Sequence, residues 1–455
     1  MEFSTLAPVR FGFGLAPRQT PPASPDEILA ALRGPDLLAQ RWPGLTTQEA
    51  LQMRDEFLRL RKAEAQNVPG ATEDFKRQRQ AIDRSNVGGL QIALARAVED
   101  PTGMRERLHA FWRNHFTVRA KRAPEAPLAT AHGEALRPEI TGSFPALLRA
   151  STLHPMMLIY LDQVASFGPD SKRAKKRPDL KLGLNENLAR ELMELHTLGV
   201  GGRYSQDDVR QLAELLTGLR VMAEEGTTFA PDFAEPGAET VLGHAYGGDP
   251  AKLSDIEQVL TALALHPDTS HHLASKLAVH FVGPEPDPAL TGAMSEAYLG
   301  AKGQLMPVYE VLLTHPAAQG ASFGKVRQPF DYIATGFRAM GFDGKAVMAF
   351  NGPQIRRQAF KPLRDMGQRW LGAPAPNGWP EAAEEWISPQ QLAARINWAL
   401  KAPAGLQAKL PEPADFARAA LGPRLSDLVA QAVPRSESRA EAAALVLASA
   451  EMNRR

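Results

Sequence analysis

The sequence predicts an all-α fold: one large multi-helical domain over residues 1–455, with a short irregular or β-like excursion near 223–250. Three observations carry that reading. Apolar residues recur with a period near 3.6 over long stretches, as in Thr47 to Glu64 and Glu73 to Glu99. Proline restarts a helix directly after a histidine at Leu153-His154-Pro155, Leu265-His266-Pro267 and Thr314-His315-Pro316. Strand-like residues gather in one place only, Thr227 to Phe229 and Thr240 to Leu242, ending at Gly247-Gly248.

In chain order, Arg10-Phe-Gly-Phe-Gly14 anchors the N-terminus on a core through Phe11 and Phe13, and its glycines permit close backbone contact. A Pro-rich turn comes next at Pro17 to Pro25, and Ser24 caps the helix after it. Thr102 to Val118 puts Met104, Leu108, Phe111, Trp112 and His115 on one helical face. Phe144 to Tyr160 is an apolar helix pair ending at Asp162 and Gln163. Ser171 to Pro178 is a basic loop placed to steer anions toward the polar helix after it. Ser205 and Asp208 form a capping box with Asp for Glu, opening a helix over Val209 to Leu219. The excursion marks a soft boundary at 223–253 between an N-terminal part, 1–222, and a C-terminal part, 254–455. Beyond it come paired helices from Ser254, a linker at Pro284 to Pro288, and a Pro-, Gly- and Trp-rich wrap at Lys361 to Pro380. Further helices complete the chain.

The composition is ordinary for a globular protein, 44% hydrophobic and 23% charged. Lys and Arg total 52 against 51 Asp and Glu, so the net charge of +1 gives no support to nucleic-acid binding. With no cysteine there is no disulfide and no thiolate site. Nothing approaches the roughly 18 apolar residues of a membrane span. Met1 to Pro17 lacks the pattern of a signal peptide, so the chain as written reads as cytoplasmic, and as exported if a leader precedes it.

The densest chemistry lies in Gly183 to Val200. On a helical wheel Thr197, Arg190, Glu194, Asn187 and Glu191 fall within roughly 140° of Glu186, with Leu195, Leu188 and Leu192 opposite and Asn185 and His196 beside them. Glu186–Arg190 and Arg190–Glu194 are i,i+4 pairs. On a solvated face each would be worth only about 0.2–0.5 kcal/mol. The absence of lysine and the presence of two amides favour a functional face instead. Arg190 would hold Glu194 ionised, which leaves Glu191 as the better acid. The candidate catalytic residues are therefore Glu191, Glu194, Asp162 and His115. Candidate substrate-binding residues are Trp112, Asn114, Asn185, Glu186, Asn187, Arg190 and His196. For His115, a satisfied core histidine is the competing reading.

Arg10-Phe-Gly-Phe-Gly14, Trp112-Arg-Asn-His-Phe116, Leu161-Asp162 and Asn185 to Gly199 together resemble the bacterial family of unknown function numbered 1800. So do Tyr204 to Val209, Leu216-Thr-Gly218, His266-Pro267, Lys276-Leu277, Phe281-Val282 and Asn377-Gly-Trp-Pro380. The resemblance runs in order along nearly the whole chain. It implies no particular reaction. It does imply relatives that look exported and that sit beside a partner family resembling alkaline-phosphatase-type enzymes. Where many relatives carry a His-Asp pair with a downstream Lys, this chain has Asp232 to Gly243, so a site built on that pair is not expected here.

Three function classes are compatible with these residues. The first is a metal-independent hydrolase or lyase acting on a saccharide or other polar small molecule through the carboxylates of the Asn185–His196 helix. The second is a non-catalytic helical module that supports an exported partner enzyme. The third is a carboxylate-bridged metal protein, for which paired Glu-x-x-His runs are missing. No cofactor and no transition metal is expected, while an oxygen-only Mg or Ca site stays open.

Overall fold

The computed structural model describes residues 2–17, 19–180, 183–320, 322–406 and 410–455. Met1 of the leader reading and Arg18 of the Pro-rich turn lie outside them. Helix accounts for 64% of the chain, and among the described residues the only sheets are two antiparallel hairpins. The all-α expectation therefore holds.

The first long helices are α1 (Thr47–Ala65), opened by a Thr46/Glu49 capping box, and α2 (Ala71–Glu99). The next, α3 (Met104–His115), begins where two backbones touch. A Cβ on Gly103 would lie 2.4 Å from the Cα of Gly12, and one on Gly12 would lie 2.9 Å from the Thr102 carbonyl, so both glycines are needed at this contact. Phe11 and Phe13 flank this contact and are fully buried. α4 (Ala126–Leu136) packs against α1 and α2.

Each His-Pro device works as a cap. The Nδ1 atoms of His154, His266 and His315 accept from the backbone N–H two residues on, at 3.1, 3.1 and 3.2 Å. Proline then occupies the first helical position, where no donor is needed.

α5 is shorter than the wheel supposed. It runs Asn187–Glu191 and passes into a π turn, Leu192–His196. Asn185 lies outside it, its Oδ1 accepting from the Asn187 N–H at 2.9 Å. The wider turn rotates the residues after it. Thr197, placed on the polar face by simple 100° spacing, is buried instead and donates to the Leu192 carbonyl at 2.6 Å. Leu188, Ala189, Leu192 and Met193 are fully buried, so the helix packs one face into an apolar core.

α6 (Gln206–Leu215) carries the expected capping box, with Ser205 N–H on Asp208 at 2.8 Å. It stops four residues before Leu219, because the chain turns at Thr217-Gly218 and Leu219 starts a strand. β1 (Leu219–Met222) pairs with β2 (Gly226–Phe229), and β3 (Gly237–Val241) with β4 (His244–Gly248). The excursion is thus ordered β-structure and begins slightly earlier than its composition suggested.

α7 (Leu253–Ala264), α8 (Pro267–Phe281), α9 (Pro288–Gly300) and α10 (Leu305–Thr314) form a run of neighbours. α11 (Pro329–Ala339), α12 (Pro389–Leu406) and α13 (Arg439–Ala448) build the far end. One apolar core joins Leu6, Leu108 and Leu192 to Leu219, Val241 and Leu277. A second joins Phe13 and the last turns of α2 to Tyr332, Trp398 and Leu447. A pocket opens where α3, α8 and α11 meet the segment 363–381.

Candidate functional site

The last turn of α3 sends four consecutive side chains to four different elements. Trp112 donates from Nε1 to the Tyr309 hydroxyl at 2.8 Å, and Tyr309 in turn donates a hydrogen bond to the Ile140 carbonyl at 2.8 Å. Arg113 lies over the Trp370 ring, 4.5 Å from its centroid. Asn114 clamps the Trp379 backbone, donating to its carbonyl at 3.0 Å and accepting from its N–H at 2.7 Å. His115 reaches the carbonyl of His196 at 3.2 Å. Gly378 sits against this clamp with φ +83°, and a Cβ there would lie 2.5 Å from the Asn114 carbonyl. The Asn-Gly-Trp-Pro run is thereby fixed to the Trp-Arg-Asn-His run.

The candidates read from the sequence divide between surface and interior. On the surface, Arg190 bridges Glu186 at 3.1 Å and Glu194 at 3.3 Å, and also donates to Gln206. The side chains of Glu186, Arg190 and Glu194 keep 34, 37 and 28% of their exposure, which makes the cluster neither an enclosed site nor a fully solvated face. Glu191 is half-buried, and its carboxyl is raised by burial and by Glu194 against the opposing pull of Arg190. Asp162 is exposed, pairs with Lys121 at 3.0 Å and offers its carbonyl to Asn185 at 3.3 Å. Asn187 is exposed.

Inside, Trp112, His115 and His196 are buried. The His115 ring lies 6.0 Å from that of His196 and 6.2 Å from that of His272. Of the twelve-residue run and the α3 candidates, only Asn114 lines the pocket, and both of its amide atoms are engaged in the clamp.

The pocket has a cavity volume of about 100 Å³. Two acids in its wall are already paired. Glu381 accepts from His280 Nδ1 at 2.6 Å and contacts the Lys325 ammonium. Asp331 accepts from Arg107 at 3.0 Å and lies 3.5 Å from Arg455. Burial alone would raise Glu381, yet His280 and Lys325 pull its carboxyl well below the ordinary range. Burial pushes His280 down to about 4, so the ring is neutral near pH 7. A carboxylate can only accept, so the proton of this neutral ring sits on Nδ1. Its Nε2 is buried and has no hydrogen-bond partner.

A family model described as "Protein of unknown function (DUF1800)" matches residues 7–454. The chain belongs to the DUF1800 family. No curated protein and no solved structure matches it.

In this DUF1800 member α8 ties the two interior groups together. His272, Lys276 and His280 recur at four-residue spacing along it and so share one face. Lys276 makes no ion pair or hydrogen bond to a described residue. Burial lowers its amine to about 8, and its charge in turn depresses His115, His196 and His272. Among the described residues no group of three or more His, Asp or Glu side chains is placed to hold a metal ion.

Sequence reading missed Arg113, His280, Asp331 and Glu381 as site residues. Signals for three of them were at hand. Arg113 lies within Trp112-Arg-Asn-His-Phe116, Glu381 directly follows Asn377-Gly-Trp-Pro380, and His280 lies between Lys276-Leu277 and Phe281-Val282, all runs that carry the family resemblance. For Asp331 no local signal exists.

Proposed function

We propose that the chain is an acid–base enzyme, a hydrolase or lyase acting on a polar small molecule bound in the pocket between α3, α8 and α11. The observation that carries the reading is the Glu381–His280 pair on the pocket wall. A neutral imidazole held in one tautomer by an ionised carboxylate keeps a lone pair on Nε2, the arrangement a general base requires. The substrate must displace what covers Nε2, which no solvent reaches in the free protein. His280 then takes a proton from it onto Nε2, the developing imidazolium is stabilised by Glu381, and the proton returns to the leaving group. Lys325 keeps Glu381 ionised throughout. Asn114 acts as a positioning residue, holding the 377–381 segment and hence Glu381 against α8.

The test is a substrate screen across glycosides, esters, amides and phosphoesters, run on the wild type and on His280→Asn. Turnover falling by about 100-fold or more with an unchanged fold supports the proposal. Undiminished turnover overturns it.

A second reading has one observation in its favour, the raised carboxyl of Glu191 beside Glu194. There the carboxylates of α5 serve as acid and base on a polar or saccharide substrate, and Glu191→Gln, not His280→Asn, abolishes turnover. If no substrate class turns over, what remains is a helical module that supports a partner, of the alkaline-phosphatase type that the family resemblance implies.

A further inference from the structure

The polar groups of the pocket wall largely consume one another. Gln368 donates to Gln328 at 3.0 Å and accepts from the Phe330 N–H at 2.7 Å, while Gln328 donates to the Pro380 carbonyl at 3.2 Å. Thr117 donates to the Asn114 carbonyl at 2.7 Å. Both carboxylates are ion-paired. The groups left without a partner among the described residues, apart from His280 Nε2, are donors. The Arg113 and Arg369 guanidiniums make no ion pair or hydrogen bond to a described residue, and the indole N–H of Trp370, which Arg113 covers, is buried and unpaired.

The charge balance behind the wall has the same sign. Arg107, Lys325, Arg327 and Arg455 are all buried, and the acids they face are Asp331 and Glu381. Arg10, whose two terminal nitrogens donate to the Ala318 and Ser322 carbonyls while its Nε is buried without a partner, also acts on Arg455. The five cations thus stand against two side-chain carboxylates, Asp331 and Glu381. Nitrogens of Arg107, Arg327 and Arg455 are buried without hydrogen-bond partners. Uncompensated buried charge is costly, and a neighbouring anion relieves it.

We infer that the pocket takes an anionic small molecule, its oxyanion, carboxylate or phosphate, seated on the Arg113 guanidinium and the Trp370 N–H. This rests on the pocket being the functional site and names the substrate class that site would accept. A planar guanidinium offers paired donors in the geometry an oxyanion needs, and stacking on Trp370 fixes the plane of the fork. The oxyanion end then anchors the ligand, leaving the uncharged part of the molecule to His280. The field of the buried cations favours the same sign of charge from behind the wall.

The test uses inorganic phosphate and benzoate as probes, titrated calorimetrically at constant ionic strength against sodium chloride. Saturable binding of one probe, weakened about tenfold or more by Arg113→Gln and kept by His280→Asn, supports the proposal. The probe that binds decides between phosphate and carboxylate. Arg113→Lys keeps the charge and the stem while losing the fork, and serves if Arg113→Gln does not fold. It should bind more weakly than the wild type. No saturable binding of either probe, or binding indifferent to both Arg113 variants, overturns the anion site and leaves the acid–base reading standing. Conversely, binding that depends on Arg113 while His280→Asn keeps full turnover sinks the acid–base reading and leaves the anion site.

Discussion

The same side-chain chemistry appears twice in this molecule with opposite consequences. On α5, Glu186, Arg190 and Glu194 form a linear bridge at the surface, each roughly a third exposed. Water screens that bridge, and pairs of this kind are worth about 0–1 kcal/mol. Beside α8, Glu381 keeps 23% of its side-chain exposure but joins His280 and Lys325, which are almost fully buried. Burial lowers both of these partners, while their pull holds the Glu381 carboxyl down against its own burial. Composition does not tell the two apart. What differs is how much solvent each cluster has lost, and only the second has an environment that sets protonation states for chemistry.

The largest effect expected from this contrast is on acid stability. His280 and His272 are pushed down to about 4, and His196 and His154 to about 3, in each case chiefly by burial. The unfolded chain takes up protons at these histidines below about pH 6.5, while the folded chain does not. Stability is therefore fully present above pH 6.5 and is lost as the pH falls toward 4, at about 1.4 kcal/mol per pH unit for each group. Four groups together cost about 8 kcal/mol by pH 5, comparable to the whole stability of an ordinary domain. Circular dichroism should show cooperative unfolding above pH 4. The slope should shrink in His280→Asn and stay the same in Arg190→Met. Native signal persisting at pH 4 would mean that the interior histidines are better solvated than their packing implies.

Next in size is Glu381→Gln. It strands the Lys325 ammonium in the interior, and the expected loss is about 3–5 kcal/mol in chemical denaturation. Adding Lys325→Met should return part of that loss, because both charges are then gone. A single-variant loss under about 1 kcal/mol would place this cluster in the same class as the α5 bridge and erase the comparison.

How far these regions could be read from sequence follows from the same physics. The helices were legible because 3.6-residue periodicity and caps such as Ser205/Asp208 are local signals. The His-Pro caps are three further local signals of that kind. The π turn was not legible, since its hydrogen bonds depend on what packs on Thr197 and Leu192. The polar run of α5 was conspicuous because its residues are adjacent in the chain. The pocket joins Arg113, His280, Asp331 and Glu381 across more than 260 positions, and only folding brings them together. Asn114 and Asn377-Gly-Trp-Pro380 both stand out as motifs in the sequence, but their mutual clamp is a tertiary fact.

A third prediction has the opposite sign. Lys276 is a half-buried cation without an ion pair among the described residues, its amine lowered to about 8 by burial despite the favourable pull of Glu381. Below pH 8 the folded chain must carry this charge in an unfavourable place, and the penalty fades as the pH rises from 8 toward the unfolded value near 10.5. Lys276→Met should raise the melting temperature at pH 7 by the equivalent of about 1–3 kcal/mol, with the gain disappearing by pH 10. Destabilisation at pH 7 would show that the ammonium has a partner, and α8 would then be a structural helix throughout.

The smallest effects belong to α5, and they test the comparison from its other side. Had the bridge been enclosed, losing Arg190 would strand two glutamates at several kcal/mol. With each member about a third exposed, Arg190→Met should cost no more than about 1 kcal/mol, because water and Gln206 remain to solvate Glu186. Glu191→Gln should change stability by about 0.5 kcal/mol or less. Any shift should be stabilising, since burial and Glu194 both work against the charge it removes. Thermal melts of the two variants at pH 7 and low salt, repeated at 1 M salt, decide between the two pictures. Screening at 1 M salt should remove most of the Arg190 effect, because the Debye length falls to about 3 Å there. A loss of about 3 kcal/mol that survives high salt would instead put α5 in the same class as the Glu381 cluster, and would move the weight of the proposed chemistry onto Glu191 and Glu194.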